Sequence, residues 1–152
     1  MKAFIQRVNH SSVKVDGETI GKIDKGFLVL LGIGSNDSKE EADYLVKKLV
    51  KLRIFEDEDG KMNRSLLDTE GSALIISQFT LYASTKKGNR PSFTDAMPPD
   101  QAKELYLYFI DSVRSFGIKV QTGRFGADMK VTLENDGPVS IMLLSKNEYA
   151  DT

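Results

Sequence analysis

A chain of 152 residues with 40% hydrophobic and 28% charged side chains can bury roughly two thirds of its unfolded surface, so one globular domain over residues 1–152 is expected. A formal net charge of -1 gives no global positive field to drive nucleic-acid binding, and the basic stretches at Lys47, Lys48, Lys51, Arg53 and at Lys86, Lys87, Arg90 read first as solvated faces. The lack of cysteine excludes disulfides, thiolate zinc sites and a cysteine nucleophile; without a signal-peptide pattern or a bilayer-length apolar run, a cytoplasmic protein with no membrane partner is expected.

The chain opens as β structure. Residues 2–8 are apolar and β-favouring, and residues 12–16 and 18–23 read as two strands around the Asp16-Gly17 hairpin turn. The run FLVLLGI (27–33) has the density of a central strand covered on both faces. Ser38 followed by Glu41 forms a capping box, and Ala42, Leu45, Val46, Leu49 and Val50 repeat at helical spacing, which predicts a helix over 38–52.

EDEDGK (56–61) is turn-forming, and SALIISQFTLYA (72–83) reads as one strand rich in β-branched and aromatic side chains. Residues 84–97 form a long polar loop with the basic sequence KKGNRPSF. A second helix is expected from Pro99 to just before Gly117, with Ala102, Leu105, Tyr106, Phe109, Ile110 and Val113 on one face. IKVQTG, ADMKVTLEN and PVSIMLLS then read as three strands, the last two separated by Asn135-Asp136-Gly137-Pro138. Strands and helices do not alternate regularly, so the expected class is α/β with a mixed or antiparallel, barrel-like sheet and two long helices, and not a doubly wound fold.

The inventory for chemistry is sparse. His10 is the sole histidine and stands beside Ser11 and Ser12 near an expected strand end, where a surface or turn role is the simpler reading. Acidic residues lie mainly in exposed runs without histidine companions, so no metal and no cofactor are expected. Gly32 and Gly34 lack the remaining residues of a nucleotide-binding fingerprint. Hydroxyl, amide and backbone groups remain, which can bind and polarise an ester but supply no strong general base.

SQFTLYA (77–83) and NDGPVS (135–140), together with IQRV (5–8), KMNRSL (61–66), KGNRPSF (87–93) and GRFGADMKVTLENDGP (123–138), resemble the D-aminoacyl-tRNA deacylase family in the same order and across nearly the whole chain. The resemblance implies hydrolysis of the ester of a D-amino acid at the aminoacylated 3′ end of tRNA, by a homodimer needing no other protein partner. It implies that Gly137-Pro138, held cis, enters the active site of the other subunit and there rejects L-aminoacyl groups, and that Arg7 steadies that segment. Without the resemblance, NDGP is a simple turn and Arg7 an exposed strand arginine.

The same resemblance places Ser77, Gln78, Phe79 and Thr80 around the scissile ester, with backbone N–H groups as an oxyanion hole and the 2′-hydroxyl of the terminal adenosine assisting. Phe125 and Met129 resemble the family's adenine-binding pair, although periodicity alone makes both core residues. Glycyl esters, including glycine mischarged on tRNA(Ala), have no side chain to reject and are implied as further substrates. The family usually ends its second motif in Thr where this chain has Ser140, which keeps the hydroxyl and loses a methyl. Two other classes compete: a general esterase with Thr80 as nucleophile, and a non-catalytic, dimeric nucleic-acid-binding module that uses KKGNRP as its phosphate patch.

Overall fold

The computed structural model describes residues 1–149. Its centre is a single long strand, β1 (Lys2–Val15), which borders three others. The first half of β1 pairs antiparallel with β3 (Gly26–Gly32), its second half pairs with β2 (Glu18–Ile23), and β8 (Lys130–Leu144) runs along the opposite edge. Beyond β3 the sheet continues in parallel with β6 (Ser72–Ser77) and then β7 (Lys119–Thr122). The sheet curls until β2 approaches β7. At Gly21 an added Cβ would stand 2.7 Å from the Thr122 carbonyl oxygen, so a side chain there would push the two strands apart.

Both faces of this mixed sheet are covered. Phe27, Val29 and Leu31 of β3 join Ala3 and Ile5 of β1 in a core shared with α1 (Lys39–Lys51) and α3 (Pro99–Ser115), while Leu28 joins Val8, Val13, Ile23, Leu74 and Ile76 in a second cluster. β3 is therefore apolar at successive positions, as a strand packed on two sides must be. The helices form where the spacing predicts. Ser38 and Glu41 cap α1 reciprocally, and α3 starts on Pro99 and buries Ala102, Leu105, Tyr106, Phe109, Ile110 and Val113. Each large side chain of that face contributes about 1.5–3 kcal/mol through burial.

Three expectations need correction. Residues 2–16 are not two strands, because β1 runs unbroken through His10 and is held on both edges. The strand expected over 72–83 ends at Ser77, and Phe79–Tyr82 turns as a 3₁₀ helix whose Ala83 cap donates to the Thr80 carbonyl. The last two expected strands are one, β8, with NDGP carried inside it as an irregularity and not as a separating turn. A short hairpin, β4 (Phe55–Glu56) with β5 (Met62–Arg64), and a one-turn helix, α2 (Leu66–Thr69), follow the EDEDG turn and were not foreseen. A second 3₁₀ turn, Lys146–Tyr149, closes the described chain. No helix among the described residues is long and apolar enough to cross a membrane.

Candidate active site

A cavity opens at the end of β6, and β8 carries an outward loop.

The cavity encloses about 600 Å³, within the range of small-molecule sites. Ser77, Gln78 and Phe79 form one wall, where β6 gives way to the 3₁₀ turn, and Phe125 and Met129 form the facing wall. The Gln78 N–H donates to the Leu31 carbonyl and so fixes the turn to the end of β3. Inside the turn the first bond runs from the Leu81 N–H to the Gln78 carbonyl at 3.3 Å, which leaves the N–H groups of Phe79 and Thr80 without partners in the helix. Thr80 is exposed and does not line the cavity; its hydroxyl accepts a hydrogen bond from the Gln78 amide. Phe79 is 58% exposed, and its ring meets Phe93 edge-on at 5.0 Å, so the 84–97 loop contributes an aromatic to the rim.

On the facing wall, Phe125 packs against Tyr106 with ring centroids 5.6 Å apart. Burial pushes the Tyr106 phenol up to about 12, and its hydroxyl donates to the Ile75 carbonyl at 2.7 Å. Met129 is seated by a glycine: a Cβ on Gly123 would lie 2.4 Å from the Met129 sulfur. That role has no signature in a single sequence, because Gly123 ends an ordinary strand-like run.

The loop in β8 arises from register. Gln6 of β1 faces Ser140 and Val8 faces Asn135, so residues 136–139 stand opposite Arg7 alone and are forced outward. Gly137 and Pro138 are exposed at its tip, joined by a cis peptide bond, with Gly137 at φ +141°. Three side chains brace the loop. Arg7 is buried at 5% exposure on the same strand side as Ala3 and Ile5; its Nε donates to the Asp136 carbonyl at 2.9 Å and its Nη1 to the Ile54 carbonyl at 2.6 Å. Asn135 accepts from the Val139 N–H at 2.7 Å and donates to the Ser140 hydroxyl at 3.0 Å. Gln6 reaches the same hydroxyl at 3.4 Å. The oxygen of Ser140 thus has a structural task that needs no methyl. Asn135 lay within the NDGPVS motif, yet only the register shift gives it this role.

Arg7 is therefore not the exposed strand arginine that its sequence context alone suggests. Gly137, Pro138 and Arg7 do not line the cavity of their own chain, whereas Ser77, Gln78, Phe79, Phe125 and Met129 do. His10 lies away from it, exposed on β1 with Nε2 3.6 Å from a Glu134 carboxylate oxygen. Among the described residues no group of three or more His, Cys, Asp or Glu side chains is placed to hold a metal.

A buried polar cluster missed in the sequence anchors the 3₁₀ turn from behind. Tyr82, its last residue, donates to Glu148 at 2.6 Å; the Met1 ammonium lies 3.3 Å from the same carboxylate and 2.8 Å from Asp37. Asp37 also accepts from the Gly34 N–H at 2.6 Å. Burial, and then the bond to Glu148, push the Tyr82 phenol far above its ordinary range.

A family model described as D-Tyr-tRNA(Tyr) deacylase matches residues 4–144. The D-aminoacyl-tRNA deacylase of Thermosipho melanesiensis is 56% identical over 150 residues, covering 98% of this chain and 100% of the relative. That of Clostridium novyi is 58% identical over 149 residues, with 98% and 100% covered. Among solved structures, one described as the c-Myc DNA Unwinding Element Binding Protein superposes with a TM-score of 0.90 at 44% identity, covering 95% of this chain and 99% of that one.

Proposed function

This chain belongs to the D-Tyr-tRNA(Tyr) deacylase family, and from that premise we propose that it hydrolyses the ester of D-aminoacyl-tRNA as a homodimer, with the Gly137-Pro138 tip of one subunit rejecting L-aminoacyl groups in the cavity of the other. The observation that carries the reading is a separation. One chain lines the cavity with Ser77, Gln78, Phe79, Phe125 and Met129, while the braced and exposed Gly137-Pro138 tip of β8 does not line it. Among the described residues β8 pairs with β1 alone, so its other edge is open to a second copy, and Met142 of the same strand carries an apolar side chain that is 43% exposed.

In the cavity, the adenine ring of the terminal nucleotide stacks against Phe125 and Met129, and the ester carbonyl lies at the 3₁₀ turn. The free N–H groups of Phe79 and Thr80 accept the negative charge that develops on the carbonyl oxygen. Water adds to the carbonyl carbon, the bond to the ribose 3′-oxygen breaks, and the proton from water passes to that oxygen with the neighbouring 2′-hydroxyl as intermediary. The amino acid leaves as its carboxylic acid, which gives its remaining proton to solvent to become the carboxylate. Gln78 holds the turn in place through Thr80; no side chain serves as nucleophile, in keeping with a cavity wall that holds Ser77 without a histidine beside it.

Selection by main-chain groups rejects one hand without reading any side chain, so D-amino acids of different size pass alike. Glycyl-tRNA, including glycine mischarged on tRNA(Ala), has nothing to collide and passes too. Incubating purified protein with D-tyrosyl-, L-tyrosyl- and glycyl-tRNA tests the reading: release of D-tyrosine and glycine with L-tyrosyl-tRNA spared supports it, and equal rates for both hands, or none, overturn it. A second reading, nucleic-acid binding without catalysis, draws on the description of the solved relative and on Lys86, Lys87 and Arg90. It predicts salt-sensitive RNA or DNA binding with every ester left intact in the same assay.

A further inference from the structure

Phe125 has two sides. One lines the cavity described above; the other borders a separate groove of about 380 Å³ between α3 and the segment after β7. Lys103, Leu107, Ile110 and Arg114 reach this groove from one face of α3, as their spacing of four, three and four residues requires, and Arg124 reaches it from the opposite bank. Three cationic side chains thus gather around a groove whose only acidic lining residue, among the described residues, is Asp111.

Their surroundings distinguish them. Arg114 is occupied by the fold, since its Nη2 donates to the Val120 carbonyl at 3.1 Å and its Nη1 lies 3.9 Å from Asp111. Lys103 and Arg124 form no ion pair or hydrogen bond through their charged ends among the described residues. Two free cations beside an aromatic that walls both cavities are placed for an anion continuous with whatever stacks on Phe125.

We infer that this groove is a subsite for the phosphodiester strand that leads into the terminal nucleotide, with Lys103 and Arg124 on its phosphates. The inference rests on the proposed function, in that it takes the nucleobase to lie against Phe125. It gives the enzyme a reason to prefer whole tRNA over the esterified nucleoside: the strand adds charge contacts that are equal in ground and transition state, and these lower KM while kcat stays unchanged. The competing entrance is the 84–97 loop on the Phe79 side, where Lys86, Lys87 and Arg90 would carry the strand.

The test compares D-tyrosyl-tRNA with 3′-O-D-tyrosyl-adenosine, which has no phosphate, using the double variant Lys103→Ala with Arg124→Ala and the triple variant Lys86→Ala, Lys87→Ala, Arg90→Ala. For the double variant we expect KM for the tRNA to rise roughly tenfold with kcat within about twofold. The logarithmic salt dependence of KM should become shallower by about 1.4, or about 0.7 for each lost phosphate contact on a single strand. Turnover of the adenosine ester should match the parent, which also reports an intact fold. An unchanged KM for the tRNA, an equal loss on both substrates, or the whole effect residing in the triple variant would each overturn the subsite. Parental protein inactive on both esters would instead defeat the deacylase reading on which the subsite depends.

Discussion

Arg7 and Asp136, 129 positions apart, are joined by a hydrogen bond of 2.9 Å from the arginine Nε to the aspartate main-chain carbonyl. The same guanidinium holds the Ile54 carbonyl, so one buried side chain ties the outward loop of β8 to the segment after α1. Truncation strands both acceptors, and an unmet buried acceptor costs about 1–3 kcal/mol. Arg7→Met is expected to lower the unfolding free energy by about 2–4 kcal/mol in urea titration. Under the proposed function it also narrows the ratio of D- to L-tyrosyl-tRNA hydrolysis, because the Gly137-Pro138 tip loses its brace; an unchanged ratio would detach Arg7 from selectivity.

Gly123→Ala tests how the second cavity wall is built. A methyl group there must displace the Met129 sulfur, which is the movable end of a flexible side chain. Stability should therefore fall by only about 1 kcal/mol, within the range for a tolerated overpacking. Under the proposed function Met129 is then pushed toward the adenine, so KM for D-aminoacyl-tRNA should rise several-fold. A large loss in Tm with unchanged KM would mean that the backbone, and not Met129, gives way.

Thr80→Val separates positioning from covalent catalysis. A nucleophile cannot be removed without a loss of about 10⁴-fold or more in kcat. Thr80 is exposed, lies off the cavity lining and uses its hydroxyl to receive the Gln78 amide. Loss of that bond should cost no more than about tenfold in kcat. Rapid-quench detection of an acyl-enzyme in the parent protein would contradict the scheme independently.

Acid sensitivity should reside partly at the anchor of the 3₁₀ turn. Burial pushes the Glu148 carboxyl up, but the Tyr82 hydroxyl and the Met1 ammonium outweigh it and hold the group below its ordinary value of 4.5. A carboxylate whose folded-state pKa is depressed stabilises the fold fully above its unfolded pKa and loses that contribution as pH falls through the folded value. Thermal unfolding should thus show a fall in Tm below about pH 4.5. Glu148→Gln should have a lower Tm than the parent at pH 7 and a smaller further drop on acidification; parallel Tm-versus-pH curves would refute the linkage. Glu41, held low chiefly by its bond to Ser38, should leave part of the acid limb in the variant.

Much of the fold was legible residue by residue. The capping box at Ser38 and Glu41, the Pro99 start of α3 and the two-sided apolarity of β3 are local signals, and local spacing alone placed those elements. The same reasoning broke β1 at residues 9–11 and split β8 at NDGP, since a polar or turn-forming stretch looks like an end unless a neighbour's hydrogen bonds carry the strand through it. It also extended β6 through Phe79 and Thr80, whose β propensity yields to the 3₁₀ turn fixed by the Gln78–Leu31 bond.

For the site, the amino-acid order supplied the residue types and, through the two motifs, their grouping into the SQFT and GPVS segments. Three-dimensional packing decided what no one-dimensional pattern encodes: that Arg7 is buried beneath Asp136, that Asn135 and Ser140 share one hydrogen bond, that Gly123 makes room for Met129, and that Phe125 separates two cavities. The physical reason is range. Caps, turns and amphipathic spacing act within a few residues, whereas these contacts join positions brought together by strand register and sheet curvature, which only the assembled chain sets.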